Sequence, residues 1–198
     1  MTNDDTRTQL ADALTALAEV ADGVTERQLD APTPCAEFDV RALMGHTVGW
    51  LENFAAGFAS DDGTCPSADV SGVDVPLDEA KSRVDRAATT LDRALQDGAA
   101  ERDLTIAGQG GMPGGMALSM TLAEYLVHGW DLATATGQRW SPDEQAVTSS
   151  LEFLRGMVTA DSRGEGGWFG PEVPVDQDAP VLDRLIGFSG RDPRWSAA

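Results

Sequence analysis

Apolar side chains recur at helical spacing in four long segments, and this period constrains the fold more than any other feature of the chain. The predicted helices run over residues 6–21, 39–59, 76–96 and 115–136. Asp39 is a suitable N-cap for the second helix, Pro76 suits the first turn of the third, and Gly137 can end the fourth. Four long antiparallel helices are therefore the simplest arrangement for residues 1–140.

The remainder of the chain predicts a smaller helical appendage. A fifth helix is expected from Pro142 to Val158, followed by a Gly-, Pro- and acid-rich surface segment over 161–178 and a short apolar element from Ala179 to Phe188. Residues 60–75 and 105–115 are predicted to be loops. No strand-like alternation and no internal repeat stands out. We expect an all-α chain in which residues 141–198 pack on the four helices as part of the same domain.

The charge balance excludes several classes of partner. The chain has 198 residues, with 33 acidic against 14 basic side chains and a net charge of −19. Such a surface repels nucleic-acid phosphates and anionic lipid, and no apolar run approaches the roughly 20 residues that span a bilayer. Two cysteines make no disulfide framework, and the N-terminus lacks the features of a signal peptide. A cytoplasmic location is the expectation.

The chain has two histidines, and their placement indicates a metal site. His128 lies four residues after Glu124, so both side chains project from one face of a helix, and His46 lies on a different helix. Two imidazoles and a carboxylate with a fourth position open form a typical catalytic site for zinc or a related divalent metal. A hydrogen bond between Glu124 and His128 within one helix, without any metal, is the competing interpretation.

Four further side chains are candidates beside this site. Asp131 can accept the second ring N–H of His128 and fix its tautomer, although a solvated helix aspartate is the preferred interpretation. Trp50 and Trp130 can line a substrate pocket, although core packing is the preferred interpretation for both. Cys35 can supply a thiolate, but packing as a small apolar residue is the preferred interpretation.

Two motifs resemble a known family. Residues 33–46, from Thr-Pro-Cys to Gly-His, and residues 124–137, Glu-Tyr-Leu-Val-His-Gly-Trp-Asp to Thr-Gly, are similar to the actinobacterial maleylpyruvate-isomerase N-terminal-domain family of the DinB/YfiT-like superfamily. The resemblance covers about residues 8–140, and residues 183–193 are similar to the C-terminal tail of single-domain members.

The resemblance implies an up-down-down-up four-helix bundle that holds zinc or nickel through His46, Glu124 and His128. It also implies that the open metal position activates the thiol of a small cofactor such as mycothiol toward an electrophilic substrate. The thiol-dependent isomerase carries a further α+β domain, whereas one helix, a loop and a short tail are predicted after helix four here. Arg41 and Arg139 are the cations that the fold could bring to a dicarboxylate substrate.

Three functions remain open from the sequence. The first is a metal-dependent thiol S-transferase or isomerase. The second is a non-catalytic protein that binds a metal or a small ligand. The third is a hydrolase that uses a metal-bound water, for which Asp131 is the candidate base. A homodimer is expected from general frequency alone.

Overall fold

Long helices dominate the chain, as the periodicity predicts. The computed structural model describes residues 2–106, 110–164 and 168–197, so the predicted segments 105–115 and 161–178 fall partly outside the described residues. The α-helices within this part are α1 Asn3–Asp22, α2 Val40–Ala59, α3 Leu77–Gln96, α4 Gly114–Thr136, α5 Glu144–Met157 and α6 Val181–Phe188. The prediction of a predominantly helical chain is confirmed, and the five predicted helices match to within three residues at each end. None of the described helices is both long and apolar enough to cross a bilayer.

The expectation of a chain without strands was wrong. Strands β1 Thr64–Cys65, β2 Asp103–Ile106 and β3 Gly110–Pro113 form a three-stranded sheet in the order β1-β2-β3. β1 pairs with β2 in parallel, and β2 pairs with β3 antiparallel. Leu104 and Ile106 are the buried residues of β2 and alternate with less buried neighbours, but four residues are too few for this period to stand out in the sequence.

The four long helices share one apolar core. α1 packs against α3 and α4, and α2 also packs against α3 and α4. Each helix contributes a leucine that is at most 2% exposed: Leu14, Leu51, Leu91 and Leu122. α5 packs on α4, and α6 packs on α5, so the residues after α4 extend the core from the side of that helix.

Local capping fixes where the helices begin. Thr2 and Asp5 form a reciprocal capping box at α1, and the Asp39 carboxylate accepts a 2.8 Å hydrogen bond from the Ala42 amide at the start of α2. Gly137 ends α4 in a left-handed conformation, with φ of 68°, as its predicted role requires. These caps set the first residues of α1 and α2 and the last residue of α4.

The segment between α2 and α3 lies directly on α2 because two glycines leave room for it. A Cβ atom at Gly45 would lie 2.2 Å from the Val73 carbonyl oxygen, and one at Gly57 would lie 2.5 Å from the Cys65 sulfur. The buried Asn53 side chain bonds both the amide and the carbonyl of Ser67, at 2.9 Å each. This face of α2 is therefore covered by the following loop, and the helix also packs against α4.

Candidate metal centre

The two histidines and Glu124 converge between α2 and α4. Glu124 Oε1 lies 3.2 Å from Nε2 of His46 and 3.4 Å from Nε2 of His128. The imidazole centroids are 5.1 Å apart, and one ligand atom from each of the three residues lies within 4.8 Å of the other two. The structure therefore brings together residues that are 78 positions apart in the chain.

A hydrogen bond beside the cluster ties the two helices together. Tyr125, which follows Glu124, is fully buried, and its hydroxyl donates to the carbonyl oxygen of Thr47 at 3.3 Å. Thr47 follows His46 in the same way. Because the contact lies one residue from each group, it fixes the relative height of α2 and α4 where the cluster forms.

The donor set fits a divalent metal. Ligand bonds of about 2.0–2.1 Å in a tetrahedral zinc site separate neighbouring donor atoms by roughly 3.3 Å, and the two nitrogen–oxygen distances here lie on either side of that value. The same distances also suit two hydrogen bonds to Glu124. The side chains of His46 and Glu124 are 24% and 34% exposed, so solvent reaches the cluster from their side.

His128 is held from behind by a buried carboxylate. Its Nδ1 lies 2.9 Å from Oδ2 of Asp131, whose side chain is 0% exposed. An Nδ1–H donated to Asp131 leaves the Nε2 lone pair directed at Glu124 and His46, which is the orientation a metal ligand needs. Asp131 is therefore a buried partner of His128 and not a solvated helix aspartate.

Sequence reasoning missed the arginine that completes this group. Arg191, beyond α6, contacts Asp131 through Nη2 at 3.1 Å and Nε at 3.3 Å. The two arginines that the sequence suggested as partners of a dicarboxylate substrate lie elsewhere. Arg41 lies beside Asp30 on the surface, and Arg139 is exposed. Arg191 lies within the tail segment 183–193 that resembles single-domain members of the family, and this was the signal that could have identified it.

The charges around His128 and Glu124 stabilise each other. Burial alone would lower the pKa of His128, but Glu124 and Asp131 outweigh burial and raise it to about 9. Burial acts to raise the pKa of Glu124, and the two histidines outweigh it and hold that pKa well below its usual range. In the metal-free site Glu124 is thus a carboxylate facing a protonated His128.

Two aromatic rings lie close to the His46 ring. The Phe38 ring lies 4.8 Å from the His46 ring, between centroids, and Trp50 meets His46 edge-on at 6.5 Å. Trp50 also stacks on Phe54 at 5.3 Å. Phe38 and Trp50 are half-buried, whereas Trp130 is 8% exposed and belongs to the core. Of the two candidate tryptophans, Trp50 is therefore the one in contact with a ring of the cluster.

Cys35, His128 and Asp131 form a second group of potential metal ligands. One ligand atom from each of them lies within 4.8 Å of the other two. Burial raises the pKa of the Cys35 thiol, and the nearby Arg191 opposes that shift only in part, so the thiol stays protonated at neutral pH. The Arg191 guanidinium already supplies a positive charge at Asp131. This group is therefore better described as a buried ion pair beside a neutral thiol than as a second metal site.

These features define a class of protein. Its members are helical, and two histidines and a carboxylate converge from two packed helices. The chain belongs to the mycothiol maleylpyruvate isomerase N-terminal domain family, which matches residues 10–133. That stretch includes His46, Glu124, His128 and Asp131 and ends before Arg191.

Two relatives extend the similarity over nearly the whole chain. Uncharacterized proteins of Mycobacterium tuberculosis, from strains CDC 1551 / Oshkosh and H37Rv, are each 31% identical to it over 190 residues. The match covers 90% of this chain and 93% of each relative, so it extends well past the family match into the C-terminal segment. No solved structure gives a significant match.

Proposed function

We propose that this protein is a divalent-metal-dependent enzyme that activates a low-molecular-weight thiol of the mycothiol type for S-transfer or isomerisation. The observation that carries the proposal is the convergence of His46, Glu124 and His128 at distances that suit a bound zinc or nickel ion. The family description supports the thiol, since its name joins mycothiol to an isomerase.

The proposed fold of the site is the DinB/YfiT-like four-helix arrangement with up-down-down-up topology. The packing pattern supports it, because α1 and α2 each contact both α3 and α4. The two ligand-bearing helices, α2 and α4, are then neighbours in the ring of four.

Each residue has a definite task in this proposal. His46, Glu124 and His128 hold the metal, and Asp131 orients His128. When bound, the metal lowers the pKa of a coordinated thiol and so provides a nucleophile at neutral pH. The solvent-facing side of His46 and Glu124 admits the thiol, and the half-buried rings of Phe38 and Trp50 offer an apolar surface to the electrophilic substrate.

The geometry disfavours the hydrolase alternative. A metal-bound water would need a nearby general base, and Asp131 was the candidate. Its carboxylate is 0% exposed and is engaged by both His128 and Arg191. Asp131 is therefore placed to orient His128 and not to accept a proton from a water on the open side.

The first experiment tests the metal. Elemental analysis of the purified protein should find a divalent metal, and the variants His46→Ala and Glu124→Gln should lose it while keeping their helical circular dichroism. Removing a direct ligand should lower zinc affinity by more than roughly 10–100-fold. That range is typical when the residue changed is one that only hydrogen-bonds to a ligand. Glu19→Gln, which alters a surface glutamate of α1 paired with Lys81, is the matched control and should retain the metal.

The second experiment tests the chemistry. Zinc-loaded protein is incubated with mycothiol and an aromatic electrophile, and thioether formation is followed against the Glu124→Gln variant. Turnover that requires both zinc and mycothiol supports the proposal. Tight thiol binding without turnover would instead indicate a non-catalytic binding protein, and hydrolysis without thiol would indicate the hydrolase.

A further inference from the structure

The carboxylate of Asp131 is enclosed by protein and needs its two partners. Its side chain is 0% exposed, and its oxygens contact Nδ1 of His128 at 2.9 Å and the Arg191 guanidinium at 3.1–3.4 Å. A buried charge of this kind is costly unless it is paired and hydrogen-bonded. Asp131 therefore makes the position of His128 depend on the position of Arg191, 60 residues away in the chain.

Each of the three guanidinium nitrogens of Arg191 has a partner within the protein. Its side chain is 11% exposed, Nε and Nη2 contact Asp131, and Nη1 donates to the Ser189 carbonyl oxygen at 3.0 Å. A guanidinium with a partner at each nitrogen is held in one plane, which a lysine ammonium cannot reproduce.

The backbone after α6 is shaped to aim Arg191 at α4. Gly190 has φ of 92°, a left-handed conformation that favours glycine, and a Cβ there would lie 2.9–3.1 Å from the backbone of Gly170. The Arg191 amide then donates to the Ile186 carbonyl oxygen at 3.1 Å, which closes the turn at the end of α6. The guanidinium is thus positioned by a turn of defined geometry.

We propose that Arg191 is a positioning residue of the metal site: by holding Asp131 it fixes the His128 ring, so that metal binding and docking of residues 189–197 stabilise each other. The inference rests on the proposed metal site and adds the C-terminal segment to it. Coupling of this kind is reciprocal, since a segment that favours metal binding must in turn be stabilised by the metal to the same extent.

The central test compares variants of Arg191 with a matched variant of Arg194. Arg194 lies three residues on and is 88% exposed, and within the described part of the chain its side chain pairs only with nearby Asp192. Zinc affinity is measured by competition with a chromogenic chelator. Arg191→Gln should bind zinc about 10–100-fold more weakly than the native protein, Arg191→Lys should recover part of the loss because it keeps the charge, and Arg194→Gln should bind zinc as the native protein does.

A metal-free measurement separates positioning from a general loss of structure. The chain has two histidines, so nitrogen-15 NMR of the zinc-free protein resolves both rings. The native protein should show a protected Nδ1 proton on His128, and Arg191→Gln should lose that protection while its helical signal is retained. Equal zinc affinity and an unchanged His128 ring in Arg191→Gln would overturn the inference.

Amide hydrogen exchange on the native protein covers the case in which Arg191→Gln does not fold. Zinc should slow exchange of the Arg191 and Trp195 amides, which bond to Ile186 and Asp192. Exchange that zinc does not alter would overturn the coupling. A native protein that binds no zinc at all would instead overturn the proposed function, so the two failures are distinguishable.

Discussion

At the scale of single residues, both ring nitrogens of His128 have a role in the candidate metal site. Its Nδ1 is engaged by Asp131 and its Nε2 faces Glu124, so both nitrogens have a carboxylate partner. A proton and a metal ion compete for the Nε2 lone pair, because only a neutral imidazole can act as a ligand. The raised pKa of His128, about 9, means that a metal must displace this proton at physiological pH.

This competition predicts a pH dependence with a definite sign. Below a pKa of about 9 the metal-free ring is protonated, so apparent zinc affinity should rise about tenfold for each pH unit gained between about pH 6.5 and 8, and should level off above 9. Calorimetry in buffers of different ionisation enthalpy should detect about one proton released from His128 at pH 7.

The Asp131→Asn variant is the control for this pH dependence. Removing one of the two carboxylates that raise the pKa of His128 should make the dependence on pH shallower. Zinc affinity that does not change over this pH range in the native protein would contradict the assignment of His128 as a ligand.

The candidate ligands could be found from residue spacing in the sequence, but the contact of Arg191 with Asp131 could not. Glu124 and His128 are four apart on one helix, and with two histidines in the chain His46 was the natural third member. Arg191 has no fixed spacing to Asp131, because the contact is made after α5 and α6, at a turn of the chain at Gly190. Spacing rules describe neighbours on one element and carry no information about such contacts.

At the scale of elements, the close contact between α2 and the following loop supports the site. Gly45 precedes His46 and lies against the Val73 carbonyl oxygen. A side chain at this position would push the loop away or displace the helix, and the helix carries His46 toward α4. The packing of the loop against Gly45 thereby helps to fix the position of His46, the next residue of α2.

We predict that Gly45→Ala is destabilising. The added Cβ would lie 2.2 Å from a backbone oxygen that cannot rotate away, so a loss of about 1–3 kcal/mol in the free energy of unfolding is expected, as for other overpacked sites. Gly156→Ala in α5 is the matched control, because nothing lies within 4 Å of its added Cβ, and it should be neutral or stabilising. Urea unfolding of both variants is the measurement, and equal stability would show that the loop yields freely.

Helices and strands differed in how well the sequence predicted them. Each of the four long helices carries several turns of apolar period, and α2 has a recognisable cap at Asp39. β2 and β3 have four residues each, and β3 is the sequence Gly-Gly-Met-Pro, which has none of the residues that favour strands. This sheet is specified by pairing between distant segments, which local patterns do not reveal.

At the scale of the whole molecule, a few ion pairs between helices coexist with a large excess of acidic side chains. Arg7 pairs with Asp92 across α1 and α3, and Arg83 pairs with Glu52 across α3 and α2, each at 2.7 Å. The net charge of −19 leaves many acidic side chains without a basic partner. Repulsion among them opposes the compact state, whereas the few ion pairs at the surface contribute little each.

Added salt should therefore stabilise the metal-free protein. Raising sodium chloride from about 20 mM to about 500 mM shortens the screening length from roughly 20 Å to below 5 Å, which weakens the long-range repulsion more than the short ion pairs. We expect the thermal midpoint, measured by circular dichroism in the presence of a chelator, to rise over this range. The same titration on Arg83→Gln, which removes a cation and one ion pair, should show a larger rise because more repulsion remains to be screened. A midpoint that falls with salt would mean that the ion pairs between helices, and not the excess of acid, dominate the electrostatic free energy of the fold.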